Sequence, residues 1–172
     1  ATAEQPDPSI LIAQEPDADG RARWVMGLGG YAGRHVDTTL EAMRQRAQAT
    51  GQHEITALLT GAETLCEPMR YAFPHSQRRR YERLHRFPRG FLLMGDALAS
   101  FNPVYGQGMT VAACEALALR DALATRPDDQ WAPSFFRAAA RVIDIPWQLT
   151  VGADLALPMV EGDRPLAVRI VN

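Results

Sequence analysis

The chain has 172 residues, 18 basic and 20 acidic side chains, a formal net charge of -2 and a hydrophobic share of 47%. That near-neutral balance excludes a general nucleic-acid binder, and the hydrophobic share excludes wholesale disorder and suffices for a buried core. All of the basic residues are arginine, which reads as compositional bias of the source, although the planar guanidinium fork suits phosphate and carboxylate locally.

In chain order, residues 1–8 hold two prolines and form a loose lead-in. Residues 9–14 and 23–28 are short apolar runs separated by PDADGR, whose Pro, Asp and Gly are turn formers, so they predict a β-hairpin. Helical signals start at Asp37-Thr38-Thr39, a capping stretch ahead of LEAMRQRAQA with Gly51 beyond it. A second short helix is expected over residues 54–60, ending at Gly61. Residues 65–73 alternate loosely up to Pro74 and predict a strand, as does the apolar run at residues 91–94. Apolar residues recur at helical spacing over residues 109–124. After Arg126-Pro127, helices are expected over residues 133–143 and, between Pro146 and Pro158, over residues 147–157.

Several candidate motifs carry no chemistry of their own. Gly27-Leu28-Gly29-Gly30-Tyr31-Ala32 fits G-x-G-x-x-G/A, but Gly33-Arg34-His35-Val36 intervenes before the first N-cap and no acidic residue follows at ribose-binding distance. A turn or bulge is the better reading. Residues 76–90 carry arginines at 78, 79, 80, 83, 86 and 89, flanked by His75 and His85 and partly neutralised by Glu82. A solvated connection is favoured there over a patch for a phosphorylated cofactor or an acidic partner. His35, His53, His75 and His85 show no metal-ligand spacing, and no G-x-S-x-G elbow occurs. Cys66 and Cys114, expected in apolar surroundings, lack C-x-x-C spacing and point to a reducing, cytoplasmic location. No apolar run approaches the roughly 18 residues of a membrane span, and no leader segment opens the chain. The first residue is Ala1 and the chain ends in mid-pattern at Val171-Asn172, which predicts a piece of something longer.

The stretch GDALASFNPVYGQGM, residues 95–109, is different. A buried strand ending in Gly95-Asp96 would set a carboxylate at the carboxyl edge of a sheet, where an ionised Asp accepts hydrogen bonds from hydroxyls. Pro103 stiffens the following loop, and Gly106-Gln107-Gly108 frees backbone N–H groups at the start of the next helix. Those groups and the helix dipole favour negative charge, by about 0.3–1 kcal/mol at an exposed end. The pattern is one acceptor for a polyol and one positive pole for an electron-rich ring or an anion.

The run GDALASFNPVYGQGMTVAA resembles the second flavin-binding motif of the FAD-dependent aromatic hydroxylase superfamily, which includes p-hydroxybenzoate hydroxylase, 2-polyprenyl-6-methoxyphenol hydroxylase-like proteins and flavin epoxidases. The resemblance implies that Asp96 accepts from the ribityl chain of FAD and that Pro103 lies beside the isoalloxazine. It further implies that Gly106, Gln107, Gly108 and Met109 present backbone to the N1–C2=O edge. It covers residues 65–125 most strongly, and it implies an α/β fold, an α+β fragment in this chain. Residues 1–85 would be part of a mixed substrate-domain sheet with helices, 86–126 the strand-loop-helix return segment of the FAD-binding domain, and 127–172 a C-terminal helical segment. The activity implied is an NAD(P)H- and O2-using hydroxylation or epoxidation of an apolar small molecule. The chemistry needs shelter from water more than a protein nucleophile, so no catalytic triad is expected. The true G-x-G-x-x-G strand, the ribose acid and the middle Asp-Gly motif are missing, so the adenosine half of FAD must be held by an amino-terminal portion of the same protein. The alternatives are a flavin-dependent reductase or dehydrogenase of the same superfamily, and a non-catalytic module that keeps the fold and binds through the arginine-rich segment.

Overall fold

The computed structural model describes residues 7–125 and 131–164. Most of the expected lead-in, the Arg126-Pro127 break and the last eight residues lie outside the described residues. Among the described residues, four α-helices and two small antiparallel sheets make a mixed α+β arrangement. It divides into two compact units, one formed by Ala1–Ala72 with Ala156–Gly162 and the other by Phe73–Leu155 with Asp163–Asn172.

The first unit opens with the expected hairpin. Strands β1 (Ser9–Gln14) and β2 (Arg23–Leu28) pair antiparallel, with Ser9 opposite Leu28 and Gln14 opposite Arg23. Asp17 closes the connection, its Oδ1 accepting from Asp19 N at 2.9 Å and Arg21 N at 2.8 Å, while Gly20 takes φ 78°. This is the local side-chain-to-backbone bonding that makes Asp a turn former. Helix α1 (Leu40–Ala49) is capped by Thr39, whose hydroxyl accepts from Ala42 N at 3.1 Å, and helix α2 (His53–Gly61) follows. Ala47, Ile55 and Leu59 form a small core with Met26, Leu28, Leu40 and Met43 against it.

The glycine-rich stretch after β2 is a turn, as its context suggested. A Cβ on Gly30 would stand 1.6 Å from Arg34 O, and Ala32 and Gly33 take positive φ. Helix α1 begins only at Leu40, so no helix N-terminus lies within these glycines. Asp7 fastens the turn to α1 through Arg34 at 2.8 Å and Arg46 at 2.7 Å.

Residues 65–73, expected as a strand, hold no regular structure: Leu65, Met69 and Tyr71 are exposed, and no described backbone pairs with them. Alternation makes a strand only where a neighbour supplies the ladder, and here none does.

The second unit contains the larger core. Strands β3 (Gln77–Arg78) and β4 (Ala99–Ser100) form a two-residue antiparallel ladder. Helix α3 (Gly108–Thr125) and helix α4 (Trp131–Ala156) bury Val111, Ala122, Phe135, Phe136, Ala139 and Ile143 with Leu98, Ala99 and Phe101. Alternating large and small side chains lets these layers approach closely.

Two expectations fail in this unit. Residues 91–94 belong to neither sheet, although Met94 takes the extended φ -141° and ψ 165°, because no described strand lies beside them. The two helices expected on either side of Pro146 are one helix, α4, which runs through the proline. Proline inside a helix costs about 3 kcal/mol, since it removes a donor and crowds the preceding turn. Here the apolar face continues across it, with Phe135, Phe136, Ala139 and Ile143 before and Thr150 and Leu155 after, and burial of that face outweighs the local cost.

The arginine-rich connection is less solvated than expected. Tyr81 and Phe87 stack on Phe136 at ring-centroid distances of 5.4 and 4.8 Å, tethering the segment to the core. Arg78, 4% exposed at its side chain, bonds Asp144 at 2.7 Å and Ala140 O at 3.1 Å on α4. Glu82 does neutralise part of the run, meeting Arg80 at 3.3 Å. Both cysteines are free and exposed. Among the described residues, no helix is long and apolar enough to cross a membrane.

Candidate functional site

The Gly95-Asp96 pair sits where an extended segment turns sharply. Gly95 adopts φ 59°, a left-handed conformation that glycine enters at little cost, and a single 3-10 turn covers Gly95–Ala97. Leu98 N closes it on Gly95 O at 2.8 Å. Two side chains clamp the turn from outside. Glu115, on α3, accepts from Gly95 N at 2.6 Å through Oε2, and Arg79 donates from Nη1 to Ala97 O at 2.8 Å. Arg79 N also donates to Leu98 O at 2.9 Å, extending the β3–β4 ladder to the turn. The Asp96 side chain, between the clamped groups, is exposed.

The loop that follows is fixed with equal economy. Asn102 accepts from Val104 N at 3.1 Å and so caps the short turn Pro103–Tyr105, in which the proline occupies a position whose N–H is not needed. Asp154, near the end of α4, accepts at one oxygen from Asn102 Nδ2 and from the Tyr105 hydroxyl, both at 2.9 Å. Gly106 then takes φ 64°, and Gln107 Nε2 donates to Tyr105 O at 3.2 Å. Helix α3 begins at Gly108, with Val111 N on Gln107 O at 3.0 Å. Helical geometry leaves the N–H groups of Gly108, Met109 and Thr110 without an acceptor inside the helix.

The turn and the helix start meet. A Cβ built on Gly108 would lie 3.7 Å from Asp96 Oδ1, so the carboxylate stands beside the first residue of α3. Asp96, Gly106, Gln107, Gly108 and Met109 therefore belong to one strip, with the side chain of Met109 86% exposed and Pro103 on the surface of the same loop. Chemically the strip offers an acid acceptor next to backbone donors at the positive end of a dipole, a pairing suited to a ligand with hydroxyls at one point and electron density at the next.

Glu115 is the electrostatic anomaly of this region. It is 0% exposed, its Oε1 has no hydrogen-bond partner among the described residues, and its surroundings push the carboxyl above the ordinary glutamate range. Burial is the main cause, the Asp96 charge adds to it, and the Gly95 N–H opposes it.

Sequence reasoning found the strip but missed the residues that hold it. Glu115 was detectable as the lone acid in VAACEALAL, where a charge among apolar neighbours needs a reason. Asp154 carried no such signal, since its partners lie 52 and 49 residues away. Arg79 was hidden in a run of like residues. The described residues contain no group of three or more His, Cys, Asp or Glu arranged to hold a metal. Two surface recesses, one lined by Trp24, Ala57, Leu58, Gly61 and Ala62 and one by His35, Asp37, Gln45 and Arg46 among others, include none of residues 95–109.

No family model matches the sequence. The chain is similar to Protein Rv3254 of Mycobacterium tuberculosis (strain ATCC 25618 / H37Rv), 38% identical over 136 residues that make up 77% of this chain and 29% of that protein. The chain thus spans about 29% of the length of the curated relative that it matches.

Proposed function

We propose that this chain is the flavin-contacting portion of an FAD-dependent, NAD(P)H- and O2-using monooxygenase that hydroxylates or epoxidises an apolar small molecule. The observation that carries the reading is the juxtaposition of Asp96 Oδ1 with Gly108 at the start of α3. In a flavin the ribityl hydroxyls adjoin the ring edge that becomes electron-rich on reduction, and the strip pairs an acceptor with a positive pole in the same order. The resemblance of residues 95–113 to the second flavin motif supports it independently of the geometry.

The residues present fit such a group. Asp96 would accept from the ribityl hydroxyls, the backbone on either side of it being held by Glu115 at Gly95 N and by Arg79 at Ala97 O. The N–H groups of Gly108 and Met109 would serve the pyrimidine edge, since a helix N-terminus favours negative charge by about 0.3–1 kcal/mol, rising to about 2 when partly buried. Gly108 lets the backbone come close because it has no Cβ. Pro103 would give the ring a rigid apolar neighbour. When bound, FAD would supply hydride acceptance and oxygen activation, the part of the reaction that protein side chains do not perform. The adenosine half would be held by an amino-terminal portion of the same protein.

The test is Asp96→Ala in the natural full-length protein, with FAD retention measured after gel filtration. Weakened retention is expected, and unchanged affinity and activity would refute the role of Asp96. Oxygen-18 incorporation into product during NAD(P)H turnover separates the monooxygenase from a reductase of the same superfamily, which would consume reductant without labelling its product.

A further inference from the structure

We propose that Glu115 is a positioning residue for Asp96: its buried carboxyl takes the Gly95 N–H and locks the left-handed turn from which the Asp96 side chain projects. This rests on the flavin reading only for what Asp96 then binds.

Three observations converge on it. Glu115 is fully buried, yet it uses one oxygen on a backbone N–H one residue before Asp96, at 2.6 Å, and leaves the other without a described partner. A stabilising role by packing alone would be served better by an apolar residue, since an incompletely bonded buried carboxyl is costly. The bond is also made across elements, from the second turn of α3 back to Gly95, 20 residues earlier in the chain. It therefore fixes the distance between the helix start and the Gly-Asp turn, the two features whose closeness defines the strip. Removing the acceptor would leave the Gly95 N–H unsatisfied and release the turn.

The protonation of Glu115 then sets how firmly the turn is held. A neutral acid keeps the bond, because Oε2 still accepts from Gly95, and it avoids a buried charge, the effect that outweighs the preference of the Gly95 N–H for the ionised form. Ionisation places a second negative charge beside Asp96, the charged side chain that acts on Glu115 from the turn, while Arg79 meets that turn through Ala97 O. Its carboxyl is raised by burial first and by Asp96 second, so the neutral form persists above the ordinary glutamate range. Ligand retention through Asp96 should accordingly weaken as pH rises through the folded-state value of Glu115.

The experiment compares wild type, Glu115→Gln and Glu115→Ala in the natural full-length protein, with FAD as the probe and pH as the variable. Glutamine keeps an acceptor for Gly95 and cannot ionise, so Glu115→Gln should retain FAD at low pH as the wild type does and lose the pH dependence. Glu115→Ala should weaken FAD retention by about tenfold, the scale of one unsatisfied buried N–H. A Glu115→Gln variant as pH-dependent as the wild type, or a Glu115→Ala variant that holds FAD equally well, overturns the inference. Two ligand-free readouts keep the test apart from the flavin reading and cover an alanine variant that fails to fold. An infrared neutral-carboxyl band should titrate above the ordinary glutamate range and be absent from Glu115→Gln, and hydrogen exchange at Gly95 N–H should be slow in both proteins. If wild type binds no FAD at any pH while these readouts hold, the flavin reading fails and Glu115 still fixes the turn. A band that titrates at the ordinary value, or a fast Gly95 N–H, refutes the role of Glu115.

Discussion

Gly95 takes φ 59° in a turn whose nearest outside neighbour to a new Cβ would be Ala112 Cβ at 3.7 Å, an ordinary contact. The penalty of a side chain there is therefore backbone strain and not collision. Gly95→Ala is expected to lose about 1–2 kcal/mol, the cost of a left-handed residue with a Cβ, and urea denaturation measures it. An unchanged midpoint would show that the turn is not held in this conformation. Glu115 adds a pH dependence at the same scale. Its folded-state pKa is raised above the unfolded value, so its contribution to stability is complete below the ordinary glutamate value and declines as pH rises through the folded one. Thermal midpoints should fall over that interval for the wild type and stay flat for Glu115→Gln. A midpoint that rises there instead would show that the ionised form is the favoured one. The sequence showed that an acid and glycines stood at these positions. It did not show that a second acid would be folded against the first, because that contact depends on how α3 packs.

At the scale of elements, the helices show which local signals survive tertiary packing. The capping stretch Asp37-Thr38-Thr39 specified α1, with the best cap expected near Asp37 or Thr38, and the structure gives that role to Thr39, whose hydroxyl accepts from Ala42 N. Thr39→Ala should cost about 1 kcal/mol, readable as a lower thermal midpoint. Pro146 is the reverse case, a breaker overruled by the apolar face of α4. Arg78 ties β3 to that helix just ahead of the proline, through Asp144 and Ala140 O, two and six residues before it. Because it is nearly buried, Arg78→Ala should lose about 2 kcal/mol, whereas Arg80→Ala, at an exposed pair, should change stability by no more than about 0.5 kcal/mol. Equal losses in the two variants would show that the arginines act as one solvated run. The failures at residues 65–73 and 91–94 have a common origin: apolar patterning marks an extended segment, but a strand also needs a neighbour for its N–H and C=O groups, and patterning says nothing about the neighbour.

For the molecule as a whole, the stability of the second unit should concentrate on Phe136, which meets Tyr81, Phe87 and Phe135 at ring-centroid distances of 5.4, 4.8 and 5.0 Å. Phe136→Ala should lose about 3–5 kcal/mol and loosen the arginine-rich segment, detectable as faster hydrogen exchange from residue 79 to residue 98. If that exchange is unchanged, the aromatic tether is not what holds the segment. On the proposed flavin reading the 172 residues would contact the ribityl chain and ring alone, so they should not retain FAD in stoichiometric amounts, whereas the natural full-length protein should. Tight retention by the shorter chain would overturn the division of the site proposed above.

By itself the sequence determined the hairpin, α1, α2 and α3, because each rests on signals within a few residues: an Asx turn, an N-cap, helical periodicity. Only the tertiary structure decided that Pro146 lies inside one helix, that Arg78 is buried, and that Asp96 stands beside Gly108 with Glu115, Arg79 and Asp154 holding the two sides of the strip. The physical reason is range. A cap or a turn is satisfied by its own neighbours, whereas a buried carboxyl or a clamped loop is satisfied by groups tens of residues away, which chain order does not bring together until the core has formed.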